Sequence, residues 1–386
     1  MGIEFGYSFN ACLVEMARSK STPPVSFDVG FTVNRQGRPA LDCQFSVPRI
    51  LGTVASLTAD VSISSFVAHS FNLRYDLPGV FSSGWRLTAE AVKQVNDYQY
   101  SSSFSESVEG FGLGWSKGNH RIGLDAHLRD IHPLVTLAGS RLVASEQLRR
   151  VPLRTIKTGL NYKYALDRRI FDSPSSGHIV GGHKLALHAD VSGLLGDVRM
   201  SKLETSLSVH RRVWRSLVWN SRIGAGAIAH LFRGALTTPI QDRFFLGGTN
   251  EEASALRGFA YRSVGPCGRR MVVGQVRKGD KLYDHLGGDA FVSVDNSLTF
   301  PLYQRDGIDV RAMVFAQAGS LVPTLNSQRI FSDLWNGVRV SVGAGIVVPV
   351  GAVGTVELTL GRVVGGALAT DTPQLLQVGI RLSNRS

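Results

Sequence analysis

Cysteine and long apolar runs are scarce in this sequence, and each scarcity excludes a class of protein. The 3 cysteines, Cys12, Cys43 and Cys267, stand far apart and form no Cys-x-x-Cys pair. We therefore expect free thiols, with neither a zinc site nor a disulfide framework. No apolar run of about 18 residues occurs without several glycines and prolines, so we expect no transmembrane helix.

Charged residues are also few, and those of one sign dominate. They make up 19% of the chain, against roughly 25% in ordinary soluble domains. The net charge is +12, but the basic residues are mostly scattered singly. Short clusters such as Arg211-Arg212 and Arg269-Arg270 occur, with no basic patch interleaved with aromatic residues. We therefore expect no nucleic-acid partner. Such a basic excess is compatible with anionic lipid or with a charged lumen.

Two common signatures of enzyme activity are missing. The sequence has no phosphate-cradling Gly-x-x-x-x-Gly-Lys and no His-Glu-x-x-His. His127, His188 and His210 fall on different predicted strands, so we interpret them as solvated histidines and not as metal ligands. We expect no enzyme activity, no metal and no cofactor.

The N-terminus lacks the pattern of a secretory signal. An acidic residue comes early, and no basic segment precedes a long apolar core. A bacterial outer-membrane protein needs such a signal, so this pattern favours another compartment.

Alternation of apolar and polar residues is what the sequence has in abundance. Ile122, Leu124, Ala126 and Leu128 alternate with Gly123, Asp125, His127 and Arg129. The same period of two recurs at 203–210, 308–315 and 355–360. This period is typical of β-strands with one apolar and one polar face.

The pattern predicts sixteen strands, many of them close to the roughly 9–11 residues that a tilted membrane strand needs. Their predicted starts are Val25, Ala40, Val54, Ala68, Gly84, Ser107, His120, Arg154, Gly181, Asp197, Leu217, Leu286, Ile308, Val338, Gly354 and Gln374. Long connections are predicted at Ile131–Leu153, Leu166–Gly182 and Thr237–Leu286. We therefore predict an all-β fold, a sixteen-stranded transmembrane antiparallel β-barrel over residues 24–386, after a short N-terminal segment at 1–23.

The stretch from Asp242 to Pro266 stands out within the longest late connection. It reads DRFFLGGTNEEASALRGFAYRSVGP, with flexible glycines on both sides of a single arginine, Arg257. This composition is typical of a loop that folds back and places one charge.

RFFLGG, LRGF and SVGP in this stretch resemble the superfamily of outer-membrane assembly and transport barrels, also called the bacterial-surface-antigen superfamily. YDHLGGDAF at 283–291, LTFPL at 298–302, WNGVRVSVGAGIVV at 335–348 and QVGIRL at 377–382 resemble it too. The ending SVGP looks most like the mitochondrial member, the barrel subunit of the sorting and assembly machinery. The resemblance is strong from about Asp242 to Leu382 and weak before Arg215.

The resemblance implies an inward-folded late loop that Arg257 anchors to the barrel wall, together with Gly258, Phe259, Gly247 and Gly248. A buried guanidinium needs a carboxylate partner. By strand parity, Asp289, Asp295, Asp309 and Glu357 face the lumen and are the possible acidic partners.

The resemblance also implies a lateral gate at the seam between the first and last strands. Its predicted residues are Val25, Phe27, Val29, Leu376, Val378, Gly379, Ile380 and Leu382. Backbone groups at such a seam can template an incoming strand. A fully closed barrel, whose seam never opens, is the alternative.

Several positions depart from the family pattern. Gln317 stands where bacterial members carry the acid that receives the loop arginine, and Gln377 replaces a common glycine. Residues 249–255 are additional in the loop, and the last strand ends in Leu382 where an aromatic is usual. The resemblance also implies a polypeptide-transport-associated domain ahead of the barrel, and we expect no complete one here.

Insertion of β-barrel precursors into the mitochondrial outer membrane is the expected function. The expected partners are β-barrel precursor proteins, peripheral and small membrane subunits of an assembly complex, and membrane lipid. A protein-translocating pore of the same superfamily is the alternative, followed by a metabolite porin and a soluble all-β module.

Overall fold

The computed structural model describes most of the chain. The described residues are 26–33, 39–50, 53–64, 68–80, 84–135, 142–172, 178–214, 216–231, 238–249, 253–275, 280–305, 308–325, 329–350 and 354–382.

Within these ranges the chain is almost entirely β-structure, and sixteen strands form one antiparallel sheet. They are β1 (Ser26–Val33), β2 (Pro39–Pro48), β3 (Ser56–Ile63), β4 (His69–Val80), β5 (Trp85–Asp97), β6 (Phe104–Lys117), β7 (His120–Pro133), β9 (Arg154–Phe171), β10 (Ile179–Gly196), β11 (Met200–Trp214), β12 (Leu217–His230), β16 (Ala290–Arg305), β17 (Ile308–Val322), β18 (Arg339–Val350), β19 (Gly354–Gly365) and β20 (Leu376–Leu382).

The connections contain four short strands and three short helices. The strands are β8 (Leu142–Val143), β13 (Cys267–Arg269), β14 (Met271–Val272) and β15 (Tyr283–His285), and they pair as β8 with β14 and β13 with β15. The helices are α1 (Gln99–Ser102), α2 (Glu146–Arg149) and α3 (Ile330–Asn336). No helix in the described part of the chain is long and apolar enough to cross a membrane.

The sixteen strands follow one another in the sheet in the order in which they occur in the sequence, and the short strands lie in the connections between them. The prediction of sixteen strands is confirmed. The predicted starts lie close to the observed ones, and the largest difference is at Leu286, where the strand begins at Ala290.

One predicted connection was wrong. The sequence predicts a long connection at Leu166–Gly182, but β9 continues to Phe171 and β10 begins at Ile179. Arg169 forms an ion pair with Asp167 at 2.5 Å within the strand. Two residues apart, these side chains share a face of the extended strand, and their pairing offsets the cost of charges in a β segment.

One compact unit of the chain comprises Met1–Val135, Pro152–Lys163 and Asp190–Arg199. On one face of its strands, Lys157 pairs with Asp190 at 2.6 Å, and these side chains are only 14% and 12% exposed. On the opposite face, Leu124 and Leu160 are 42% and 43% exposed. A sheet that shields its charges and exposes its leucines is the inverse of a soluble protein and is typical of a membrane barrel.

The other unit comprises Thr136–Val151, Tyr164–Ala189 and Met200–Ser386. It shows the same division, because Glu357 and Thr359 are buried whereas Leu358 and Leu360 are 43% and 54% exposed. Its buried face carries the segment that connects β12 with β16.

Candidate functional site

The candidate site lies where the connection between β12 and β16 covers the sheet. We call residues 238–249 and 253–275 of this connection the late loop, and the face of β12 and β16–β20 beneath it the loop face. Alternate residues of these strands point to the loop face and are buried: Ser293, Asp295, Gln317, Ser341, Glu357, Thr359 and Gln377. The period of two seen in the sequence therefore sets which residues the late loop meets.

Small residues on the strands let the late loop approach the sheet closely. A Cβ atom on Gly361 of β19 would lie 2.9 Å from the Cα atom of Gly258, closer than real Cβ atoms come. A Cβ atom on Gly379 of β20 would lie 2.8 Å from the Thr249 hydroxyl oxygen. Both strands therefore need glycine where the loop touches them.

Arg257, at the tip of the late loop, is 2% exposed and reaches two carboxylates. Its Nε donates to Glu357 Oε1 at 2.5 Å, and its Nη2 donates to Glu357 Oε2 at 3.1 Å. Its Nη1 donates to Asp295 Oδ2 at 2.8 Å. The bidentate bond to Glu357 uses the planar fork that lysine lacks.

The charges of this cluster balance. Arg222 of β12 lies opposite Asp295 in the strand register, so two arginines accompany two carboxylates. The guanidinium of Arg257 also stacks over the Phe315 ring, with 5.3 Å from its central carbon to the ring centroid. Burial alone would lower the pKa of Arg257, but Glu357 and Asp295 outweigh burial and raise it, so the guanidinium stays charged.

Two glutamines hold the backbone of the loop tip. Gln317 Oε1 accepts the Arg257 N–H at 2.5 Å, and Gln377 Oε1 accepts the Gly258 N–H at 2.8 Å. Gln377 Nε2 also donates to the Phe259 carbonyl at 2.7 Å. Both glutamines are positions where the sequence departs from the family pattern.

The backbone just before β20 bonds to the loop tip. Gln374 N–H donates to the Gly258 carbonyl at 2.8 Å, and Ala260 N–H donates to the Thr372 carbonyl at 2.9 Å. Phe259 forms a β-bridge with Pro373. The loop tip therefore acts as a short inner strand that holds the entry to the last strand.

Gly247 and Gly248 adopt positive φ values of 121° and 92°, and Gly258 one of 85°. Glycine is the residue that takes such values without strain, so the loop cannot follow this path with other residues there. Phe259 is fully buried.

Of the four predicted acidic partners, the structure brings Asp295 and Glu357 to Arg257 and places the other two elsewhere. Asp309 lies 3.2 Å from Arg311 and 3.3 Å from His178. Asp289 is buried, and its backbone bonds to Ile228 and Val322.

The predicted gate residues lie on β1 and β20, except Val25, which is outside the described residues. On β1, Phe27 pairs with Phe45 and Val29 with Cys43, and Phe27 is 52% exposed. On β20, Leu376 and Val378 are 48% and 61% exposed. Gly379, Ile380 and Leu382 pair with Glu357, Val356 and Gly354 of β19.

Sequence reasoning missed Asp371 and the segment around it. Asp371 is buried, accepts the Gly265 N–H at 3.2 Å and pairs with Arg339 at 3.2 Å. Thr-Asp-Thr-Pro at 370–373 has turn-forming composition, which predicts a connection. Nothing in that composition indicates that the connection meets a loop about a hundred residues earlier.

One pattern with an enzymatic meaning does occur, Gly-x-Ser-x-Gly at 114–118. A nucleophile elbow needs this pattern on a turn between a strand and a helix. Here Ser116 lies in β6 opposite Arg121 of β7, so the pattern belongs to a strand hairpin and carries no catalytic geometry.

Comparison with known proteins places this chain in a family. A family model described as the Omp85 superfamily domain matches residues 49–380. No curated protein sequence matches the chain.

Solved structures resemble the chain over most of its length. BamA from Haemophilus ducreyi lacking POTRA domains 1-3 is 17% identical, with a TM-score of 0.69 over 92% of this chain and 69% of that one. CdiB from Escherichia coli is 18% identical, with a TM-score of 0.46 over 94% and 63%. CdiB from Acinetobacter baumannii is 12% identical, with a TM-score of 0.49 over 93% and 60%. The chain thus spans 60% to 69% of the length of these proteins, and the agreement with BamA shows the fold.

Proposed function

Because the chain belongs to the Omp85 superfamily, whose barrels are outer-membrane proteins that insert or translocate proteins, we propose that it inserts β-barrel precursors into the mitochondrial outer membrane. In this proposal, the seam between β1 and β20 is a lateral gate. The late loop, anchored through Arg257, keeps the lumen ordered and positions the last strand. No covalent step is involved.

One observation carries the proposal: the described part of the last strand is short, and its entry is held by the late loop as well as by its neighbour β19. Among the described residues, which end at Leu382, β20 pairs with β19 from Leu376 to Leu382, although β19 continues to Gly365. Directly before Leu376, the Leu375 carbonyl still accepts the Gly361 N–H of β19, whereas Gln374 and Thr372 bond to the loop tip. A short strand with few ladder bonds is the element that opens most readily.

Insertion at such a strand has a physical basis in backbone hydrogen bonding. An unpaired N–H or C=O in hydrocarbon costs several kcal/mol, so a precursor strand needs an edge that supplies partners before its own barrel closes. Strand addition at an opened seam meets that need. The apolar side chains of Leu376 and Val378, on the face away from the loop, suit a strand next to lipid.

The mitochondrial location and the assembly complex are the finer parts of the proposal. They rest on the ending SVGP, which looks most like the mitochondrial member. Its partners would be porin-type precursors, peripheral and small membrane subunits, and membrane lipid. Immunogold localisation of the tagged protein tests the location, and a signal away from the mitochondrial surface would contradict it.

Import of a labelled voltage-dependent anion channel precursor tests the insertion itself. Cells depleted of the protein would receive the wild-type chain, R257A, E357Q or the control K93A, which removes an exposed ion pair with Glu109. We expect wild type and K93A to restore membrane integration of the precursor, and R257A and E357Q to restore it poorly. Matrix-protein import should continue early in the depletion.

Normal precursor integration in depleted cells would contradict the proposal. If polypeptide flux then fell, the chain would be a translocating pore of the same superfamily. If small-metabolite flux fell alone, it would be a metabolite porin.

A further inference from the structure

The two glutamines at the loop tip have roles that their chemistry can distinguish. Gln317 uses only its carbonyl oxygen in its bond to the Arg257 N–H. Gln377 uses both ends of its amide, because its oxygen accepts from Gly258 and its nitrogen donates to the Phe259 carbonyl. Only an amide side chain offers a donor and an acceptor at that reach.

Gln377 connects two elements that otherwise meet mainly through backbone bonds. The Gln377 side chain is buried against the loop tip and is 5% exposed. The backbone of Gln377 pairs with Thr359 in the sheet. The Gly258 carbonyl accepts the Gln374 N–H, so Gly258 bonds on both sides to the segment that forms the last strand. Where the resembling family has glycine, no side chain makes this connection.

We propose that Gln377 is a positioning residue that couples release of the late loop to release of the last strand. Undocking the tip removes the amide bonds and the Gln374 bond together, so β20 loses its support on the lumen side. Conversely, β20 cannot leave β19 without breaking the same bonds. The proposal rests on the proposed function only in treating β20 as a gate.

Substitution chemistry at position 377 follows from the two bonds. Q377G removes both of them. Q377E keeps the acceptor for Gly258 but faces the Phe259 carbonyl with a second acceptor and adds a carboxylate near Glu357. K93A is the control, since it removes only an exposed ion pair with Glu109.

Hydrogen exchange of the purified full chain in lipid nanodiscs tests the coupling. Peptides covering 256–264 and 376–382 report on the loop tip and on the last strand. We expect exchange of both peptides to rise by about tenfold or more in Q377G and Q377E, and by equal factors, because one opening exposes both. K93A should exchange as wild type does.

Two outcomes would overturn the proposal. Faster exchange of the loop peptide alone would mean that the last strand is independent of the loop. Unchanged exchange of both peptides would mean that Gln377 only fills space. If Q377G fails to reach the folded form, Q377E still decides the matter, and neither result depends on precursor insertion.

Discussion

Arg257 carries a full positive charge into a site where it is 2% exposed and Glu357 is 1% exposed. Removing one partner of such a cluster costs more than the ion pair contributes, because the remaining charges stay buried. The alternation of residues along each strand predicts that four carboxylates share one face of the sheet. It does not predict how far along their strands these carboxylates lie relative to Arg257. That position depends on the register of the strands, which places Asp295 opposite Gln317 and Glu357 opposite Gly379.

R257A is expected to lower the free energy of unfolding by about 3–5 kcal/mol, because it leaves two buried carboxylates with Arg222 as the remaining cation of the cluster. R257K should lose less, since an ammonium group still neutralises one carboxylate but cannot form the bidentate bond. Urea unfolding in liposomes measures both. The exposed control K93A should unfold as wild type does, and an R257A midpoint equal to that of K93A would contradict the prediction.

His285, in β15 outside the sixteen-stranded sheet, gives a pH dependence. Burial lowers the pKa of His285 to about 4, although Asp371 opposes the shift. The unfolded chain, with a histidine pKa of about 6.5, binds more protons between these values. The contribution of neutral His285 to the free energy of unfolding is therefore fully present above about pH 6.5. It is lost as pH falls toward 4, by up to about 3 kcal/mol.

H285N tests this assignment, because asparagine does not titrate in that range. Unfolding midpoints measured from pH 7 to pH 4.5 should fall less steeply in H285N than in wild type. Parallel pH profiles for the two proteins would show that the acid sensitivity comes from other groups.

At the scale of elements, the alternation of apolar and polar residues predicted the strands but not the path of the late loop. The alternating residues of β7, β17 and β19 predicted their positions, because one face of each strand is apolar and the other polar. The path of the late loop depends instead on contacts with residues about a hundred positions away, such as Glu357. No local pattern contains that information, and the resemblance alone pointed to it.

The contact between Gly258 and Gly361 gives a test of how closely the loop and β19 approach. G361A would place a methyl group 2.9 Å from the Gly258 backbone, so we expect it to push the loop tip from the sheet. Limited proteolysis of the late loop should then accelerate. G365A is the control on the same strand, because its nearest neighbour, the Val340 Cβ atom, is 3.9 Å from the added Cβ. Equal proteolysis of both variants would contradict the close contact.

At the scale of the whole molecule, the exposed apolar residues recur on one face of strand after strand. Leu124, Leu160, Leu207, Leu358 and Val378 all belong to this set, with exposures between 39% and 61%. The low fraction of charged residues and the period of two in the sequence indicate the same arrangement, with apolar residues on the outer face. Water would make this surface adhesive, whereas lipid makes it favourable.

L358R tests whether that face contacts lipid. An arginine at the middle of a lipid-facing strand costs about 2–4 kcal/mol in a bilayer, because the charge leaves water. We expect L358R to fold poorly in liposomes, as seen from the heat-modifiable band on gels, and L358V to fold normally. Equal folding of L358R and wild type would place Leu358 in water.

The spacing of the loop contacts also orders events during the chain's own synthesis. Arg257 precedes Glu357 by 100 residues, and Gly258 precedes Gln377 by 119. Contacts so distant in sequence form late, so a nascent chain must keep the guanidinium hydrated until its last two strands are present. A truncated polypeptide has no complete receptor for that charge. Docking of the arginine therefore becomes possible only after the last two strands have been made.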